Sequence, residues 1–248
     1  CTQASSQSAT KSNTAQTTAT STSKNKTNNS NYFTDRDMDS SYDESKASTV
    51  KLSGSSASVS GDGVAVSGST VTISKAGTYV ISGESDGVQI KVEAGDSDDI
   101  HIVLKGVTMT NTNAPISATK AGHVYLTLAD GTTNTLSDSS SNNDEDADAV
   151  IFSKGDLTIN GSGTLNIDAK KNNGIKANDT LHITGGTYKI TAVGDAFNVN
   201  DELNITGTTM TIDAGEDAVK VDNDEDTSVG TMYLSDNKMT ITAGDDGI

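Results

Sequence analysis

The chain has 248 residues, and 34 acidic against 17 basic side chains give it a formal net charge of −17. That sign excludes a nucleic-acid partner, which needs clustered Lys and Arg, and argues against an anionic membrane surface as the partner of the folded part. Trp is absent and aromatics make up 4%, which argues against extended aromatic platforms for sugar rings. The single Cys is residue 1, so internal disulfides and thiolate metal sites are excluded.

Residues 1–45 read as a tether. Residues 2 to 31 are almost entirely Ser, Thr, Asn, Gln, Ala and Lys, a composition that cannot bury enough apolar surface to offset its ordering entropy. The start Cys1-Thr2-Gln3-Ala4-Ser5 resembles the mature N-terminus of a bacterial lipoprotein. That resemblance implies a diacylated Cys1 and stable anchoring on the outer face of the plasma membrane, with the polar segment as a spacer into the cell wall. No apolar run is long enough to span a bilayer, so the membrane is reached through the lipid only. The mixed segment from Tyr32 to Glu44 is expected to pack on the first repeat as a cap.

Residues 46–248 repeat. Each repeat opens with an acidic or amide turn residue, then a small residue, then an apolar one: Asp62, Asp86, Asn113, Asp148, Asn173, Asp195, Asp217 and Asp246 head these openings. The shortest steps are 22 residues, Asn173 to Asp195 and Asp195 to Asp217, and the longer ones carry insertions at Ser137–Asp146 and Asp222–Gly230. Three short strands with alternating apolar residues follow each opening, carrying for example Ile175/Ala177, Leu181/Ile183 and Tyr188/Ile190 in one copy. Three strands in about 22–25 residues predict a right-handed single-stranded parallel β-helix, an all-β solenoid of stacked coils about 4.8 Å apart. The last opening is cut after Ile248, which predicts a domain truncated at its C-terminal end. A monomer is expected.

Stacking turns sequence columns into ladders. Asp148, Asp195, Asp217 and Asp246 share the opening column with Asn173, and Asp156, Asp179 and Asp201 form a second one. Like charges about 5 Å apart repel by roughly 3 kcal/mol at an effective dielectric near 20, so such a row needs solvent, a raised pKa or a bound cation. Asp and Asn also sit in turns for purely conformational reasons. The insertion Asp222-Asn223-Asp224-Glu225-Asp226 alternates oxygens as a calcium loop does, without the central Gly and distal Glu of an EF-hand. Ca²⁺ is therefore the expected ion, with Asp148, Asp195, Asp217, Asp222, Asp224, Asp226 and Asp246 as candidate ligands. Lys176, Asn198 and Lys220 follow three residues after consecutive openings and are candidate ligand-binding residues. Lys176 or Lys220 is also the candidate base of an elimination reaction, unless these lysines only neutralise the aspartates. The sole arginine, Arg36, lies outside the repeats. His101, His123 and His182 occur singly on strands, without zinc spacing.

Gly77-Thr78-Tyr79-Val80-Ile81-Ser82-Gly83, Leu128 to Leu136, Asp148 to Gly161 and Asn223 to Thr227 resemble segments of bacterial carbohydrate-binding β-helix proteins. These are clostridial surface proteins that bind cellulose-type and polygalacturonate polymers and are similar to family 9 polysaccharide lyases. The resemblance implies calcium binding and polysaccharide binding, acidic pectin-type or cellulose-type, at the cell surface, and suggests binding over catalysis. A calcium-dependent lyase and a calcium-independent adhesin are the alternatives.

Overall fold

The computed structural model describes residues 17–20 and 31–248; Cys1 and the rest of the expected tether up to Ser30 lie outside the described residues. Short β-branched-rich segments with a period of two form the strands. They stack in three columns with parallel pairing from repeat to repeat. The opening column runs Ile116–Lys120, Ala149–Ser153, Asn173–Ala177, Phe197–Val199 and Val219–Val221. The second runs His123–Leu128, Leu157–Gly161, Thr180–Thr184, Glu202–Thr206 and Thr231–Ser235. The third runs Thr133–Ser137, Thr164–Ala169, Thr187–Ala192, Thr209–Ala214 and Lys238–Ala243. Equivalent apolar residues face one another across the steps, Ile175 with Phe197 and then Val219, Leu157 with Leu181 and then Leu203.

The predicted right-handed single-stranded parallel β-helix is corrected by this topology, although the all-β class holds. The strands make two sheets, one of 15 strands and one of 8, in place of three separate faces. The reason lies in the early repeats. Gly77–Asp86 and Asp99–Thr110 run straight through the corner at which later repeats break, and Asp99–Thr110 pairs with both His123–Leu128 and Thr133–Ser137. The second and third columns are thereby joined in one sheet. Neither sheet is purely parallel: Ser48–Gly54 pairs antiparallel with Ser56–Ser60, Val64–Ser67 with Thr70–Ile73, and Thr17–Thr20 with Lys238–Ala243.

Both sheets contribute to one continuous core, from Val50 and Leu52 to Met239 and Ile241. A fully buried Ile or Leu stabilises by about 1.5–3 kcal/mol. The repeats supply such residues in every step, including Ile159, Ile183 and Ile205, all 0% exposed.

The segment from Tyr32 to Glu44 does not cap the first repeat. It forms a strap across the outer face of the 15-stranded sheet. Tyr32 stacks on Tyr233 with ring centroids 3.6 Å apart, Arg36 lies 4.3 Å over the Tyr125 ring, and Tyr42 meets His101 edge-on. Glu44 pairs with Lys105 at 2.7 Å, and the chain then enters the strand Ser48–Gly54. A single helical turn, Asp35–Met38, sits mid-strap, capped by Thr34 in a reciprocal box with Asp37.

Asp37 is the strap's anchor, 1% exposed in a chain with no other buried ion pair of this kind among the described residues. Its Oδ1 accepts the Thr158 hydroxyl at 2.5 Å, and its Oδ2 lies 3.1 Å from His182 Nδ1. Two donor relays end on the strap. His123 Nε2 donates to Thr158, which donates to Asp37. His101 Nε2 donates to Thr127, Thr127 to Asn160, and Asn160 to the carbonyls of Asp37 and Asp39. These tautomers follow from the network. Burial pushes His101 down to about 4 and also lowers His123, so both are neutral donors.

Burial pushes the Asp37 carboxyl up, but hydrogen bonds from His182, Thr158 and Thr34 outweigh it and hold it well below its ordinary 3.8. Burial likewise lowers His182, yet its bonds to Asp37 and Glu202 outweigh that and raise it above its ordinary 6.5. The linkage then has two edges. The Asp37 contribution is present above pH 3.8 and is lost as pH falls through the lowered value. The His182 contribution is complete below pH 6.5 and is lost as pH rises through the raised value. Thermal melts should therefore show stability declining above pH 6.5 in the parent chain and not in His182→Gln. Asp37→Ala should cost about 3 kcal/mol, a fall in Tm of roughly 6–12 °C; an unchanged Tm would mean that the strap is not fastened there.

Candidate functional site

The acidic openings line one edge of the 8-stranded sheet, and the structure gives their carboxylates protein partners. The backbone N–H of each of the last three openings reaches back one repeat. Asp195 N–H donates to Asn173 Oδ1 at 3.2 Å, Asp217 N–H to Asp195 Oδ1 at 3.0 Å, and Asp246 N–H to Asp217 Oδ1 at 2.9 Å. The column is thus a side-chain-to-main-chain ladder, and Asn173 fits it because an amide oxygen accepts as a carboxylate does. Asp195, 4% exposed, has its second oxygen taken by Asn198 Nδ2 at 2.8 Å.

Lys176, Asn198 and Lys220 stack in register, as their spacing predicts. Each turns to an acid. Lys176 Nζ lies 2.8 Å from Asp148 Oδ1, Asn198 holds Asp195, and Lys220 Nζ lies 3.8 Å from Asp222. Asp148 Oδ2 also accepts from Asn172 at 2.5 Å. This is the geometry of charge neutralisation.

The insertion after Ser137 is a built feature. Asp138 and Asn142 are each 2% exposed; Asp138 accepts from Lys170 N–H at 2.7 Å and from Asn142 Nδ2 at 3.1 Å. Burial raises Asp138 above the ordinary carboxylate range. Ala147, at the loop's root, packs with Ala114 on Phe152, which occupies the position one step before Lys176 in the same outward row. Between this loop and the openings lies a cavity of about 440 Å³ lined by Asn142, Asn143, Asp144, Glu145, Asp148, Lys171 and Asn172. Its donors are carboxylate and amide oxygens with one ammonium.

The second insertion is organised by its own turns. Asn223 Oδ1 accepts from the N–H groups of Glu225 and Asp226, Asp226 Oδ1 accepts from Ser228, and Asn223 Nδ2 reaches Asp201 at 2.7 Å. Asp222, Asp224 and Asp226 are exposed or nearly so and do not converge with Asp148, Asp195 or Asp217. Among the described residues, no group of three or more His, Cys, Asp or Glu side chains is arranged to hold a metal ion. Crowding of like charge is felt in the other column: burial, then Asp156 and Asp201, raise Asp179.

The strap-bound row is the set that the strand pattern alone leaves out. Tyr125, Thr158, His182, Asn204 and Tyr233 are one register row of the second column. The available signal is the polar residue between paired apolar ones in each second strand, as in Leu181-His182-Ile183 and Leu203-Asn204-Ile205.

The ladder reading carries a direct test. Asp195→Ala leaves the part-buried Asp217 N–H without its acceptor and should cost about 1–2 kcal/mol, lowering Tm by roughly 2–8 °C. Asp195→Asn keeps an accepting oxygen and should cost clearly less. Equal losses in the two melts would show that the carboxylate charge, not its acceptor role, is what the position needs.

With this geometry in place, comparison with known proteins is informative. A protein of Acetivibrio thermocellus described as a carbohydrate-binding domain-containing protein is 38% identical over 126 residues, 48% of this chain and 44% of that protein. The chain therefore spans less than half the length of this relative. The structure of a polysaccharide lyase-like protein from C. thermocellum, prepared as a gadolinium derivative, superposes with a TM-score of 0.76 at 30% identity, over 81% of this chain and 92% of that one. The profile of the carbohydrate-binding domain-containing protein family matches residues 67–248, most of the chain, and the protein belongs to that family.

Proposed function

We propose that the chain is a monomeric, non-catalytic receptor for polysaccharide, held by a lipid on Cys1 at the outer face of the bacterial plasma membrane. Carbohydrate binding rests on the family. The polymer is acidic pectin-type or cellulose-type, and calcium bridges it to the protein beside the Asn142–Asp148 loop. The observation that supports the calcium part is the cavity of about 440 Å³, whose lining is mostly acidic and amide side chains: Asp144, Glu145 and Asp148 with Asn142, Asn143 and Asn172. Ca²⁺ takes 6–8 oxygens. No three-carboxylate cage exists among the described residues, so the ion here is a bridge that takes the rest of its shell from uronate and water. Such a bridge reconciles an acidic protein with an acidic polymer.

Affinity electrophoresis in gels containing polygalacturonate should show retardation in calcium and release in EDTA. Unchanged mobility in calcium would count against the reading. Binding of the ion to the native state stabilises by mass action, so melts in millimolar calcium and in EDTA should differ by several degrees; identical melts would leave the aspartates as turn and ladder chemistry alone.

The description of a relative as polysaccharide lyase-like favours one second reading, β-elimination with Lys176 or Lys220 as base. The base would take the proton at C5 of a uronate while the C4–O bond breaks, leaving a conjugated double bond. An amine that abstracts a proton must be neutral, and Lys176 is ion-paired to Asp148 at 2.8 Å. Incubation with polygalacturonate and calcium at alkaline pH should give a flat ultraviolet trace with binding intact. Rising absorbance would replace the receptor with a lyase.

A further inference from the structure

A second, smaller pocket lies at the far end of the molecule's strap, away from the acidic openings. The strand Asp99–Thr110 carries a bulge there. Between the pairs Ile81–Leu104 and Gly83–Val107 it holds two residues, Lys105 and Gly106, against one on its neighbour. Gly106 adopts a φ of +71°, which a side chain would resist. A bulge re-aims the side chain beside it, and Lys105 stands out from the sheet, 43% exposed. The corner Ala129–Thr132 rises next to it, and Tyr42 of the strap packs on the small apolar cluster of Val80, Val103 and Ala129. The space enclosed is about 230 Å³, with Tyr42, Lys105, Leu128, Ala129, Asp130 and Ser162 among its walls.

The chemistry of those walls is that of a sugar subsite. The Tyr42 ring with Ala129 beside it offers an aromatic wall for the C–H face of a pyranose, and a few placed polar groups at the rim suit its hydroxyls. Asp130 and Ser162 supply that rim, joined by a bond of 2.6 Å. Lys105 supplies a cation, and a carboxylate already lies on it: both Glu44 oxygens are within hydrogen-bond reach, at 2.9 and 2.7 Å. Glu44 is itself 53% exposed. An ion pair so exposed adds little to stability, so an incoming carboxylate displaces Glu44 at small cost. Gly161, also in the wall, has no room for a side chain, since a Cβ would meet the Leu128 carbonyl at 2.3 Å; the pocket keeps its width because the backbone does.

We propose that this pocket is a calcium-independent subsite for one uronic acid residue of an acidic polysaccharide, with Lys105 binding the uronate carboxylate in the place that Glu44 holds in the free protein. The inference rests on the polysaccharide reading above, and it differs from it in needing no ion.

Calorimetric titration of the chain with trigalacturonate in EDTA at low salt tests it. Binding should be measurable, weaker for neutral cellotriose, and reduced about tenfold by Lys105→Met. Glu44→Gln should strengthen it, because the internal competitor loses its charge. A pair that only fastens the strap gives another pattern, with both variants lowering Tm alike and neither changing uronate affinity, and that result overturns the proposal. So does an absence of binding in EDTA, which would leave calcium-dependent binding standing by itself. Lys105-dependent binding that calcium does not improve would support the subsite and remove the calcium bridge.

Discussion

Parallel pairing of one repeat on the next is the constraint from which the rest follows. It sets equivalent residues about 4.8 Å apart, so whatever one repeat carries at a position, its neighbour meets. Apolar positions become core columns, as with Ile167, Ile190, Ile212 and Ile241. Polar outward positions become the row that receives the strap. Acidic turn positions become a carboxylate column that must be reconciled with its own charge.

The openings resolve that charge locally. The carboxylates of Asp195 and Asp217 each accept a backbone N–H from the next repeat, and that bond ties one turn to the following one. Asn198, three residues on, holds Asp195 of its own opening, whereas Lys176 reaches back one repeat to Asp148. In the second column, burial and then the neighbouring Asp156 and Asp201 raise Asp179. The net charge of −17 makes a surface that favours cations and cation-bridged ligands.

The apolar columns are legible in the sequence because period-two alternation and a constant step coincide, as in Leu181/Ile183 and Leu203/Ile205. The joining of two columns into one sheet is not. It rests on the bulge at Lys105–Gly106, which carries Asp99–Thr110 through the corner as one strand. The strap is equally hidden. Tyr32 to Glu44 has no apolar run, and its partners are single polar residues in different repeats. His101, His123 and His182 look unrelated along the chain, yet all three belong to the network beneath the strap. The openings were legible as a row of acids; that their oxygens accept main-chain donors is visible only once the register is known.

A stack in which each repeat touches only its neighbours can open from either end. The strap changes that. Its contacts run from Tyr233 in the strand Thr231–Ser235 through Asn204, His182, Thr158 and Tyr125 to Lys105 in Asp99–Thr110. One continuous segment thus links strands that are far apart in the chain, and pulling one of them away breaks the strap's contacts to it. The strap makes one outer face of the 15-stranded sheet a closed, hydrogen-bonded surface. The acidic openings on the 8-stranded sheet and the pocket at the strap's end lie clear of that strapped face. The same segment that holds the repeats together supplies Tyr42 and Glu44 to the second of them, so stability of the stack and the shape of that pocket rest on one piece of chain.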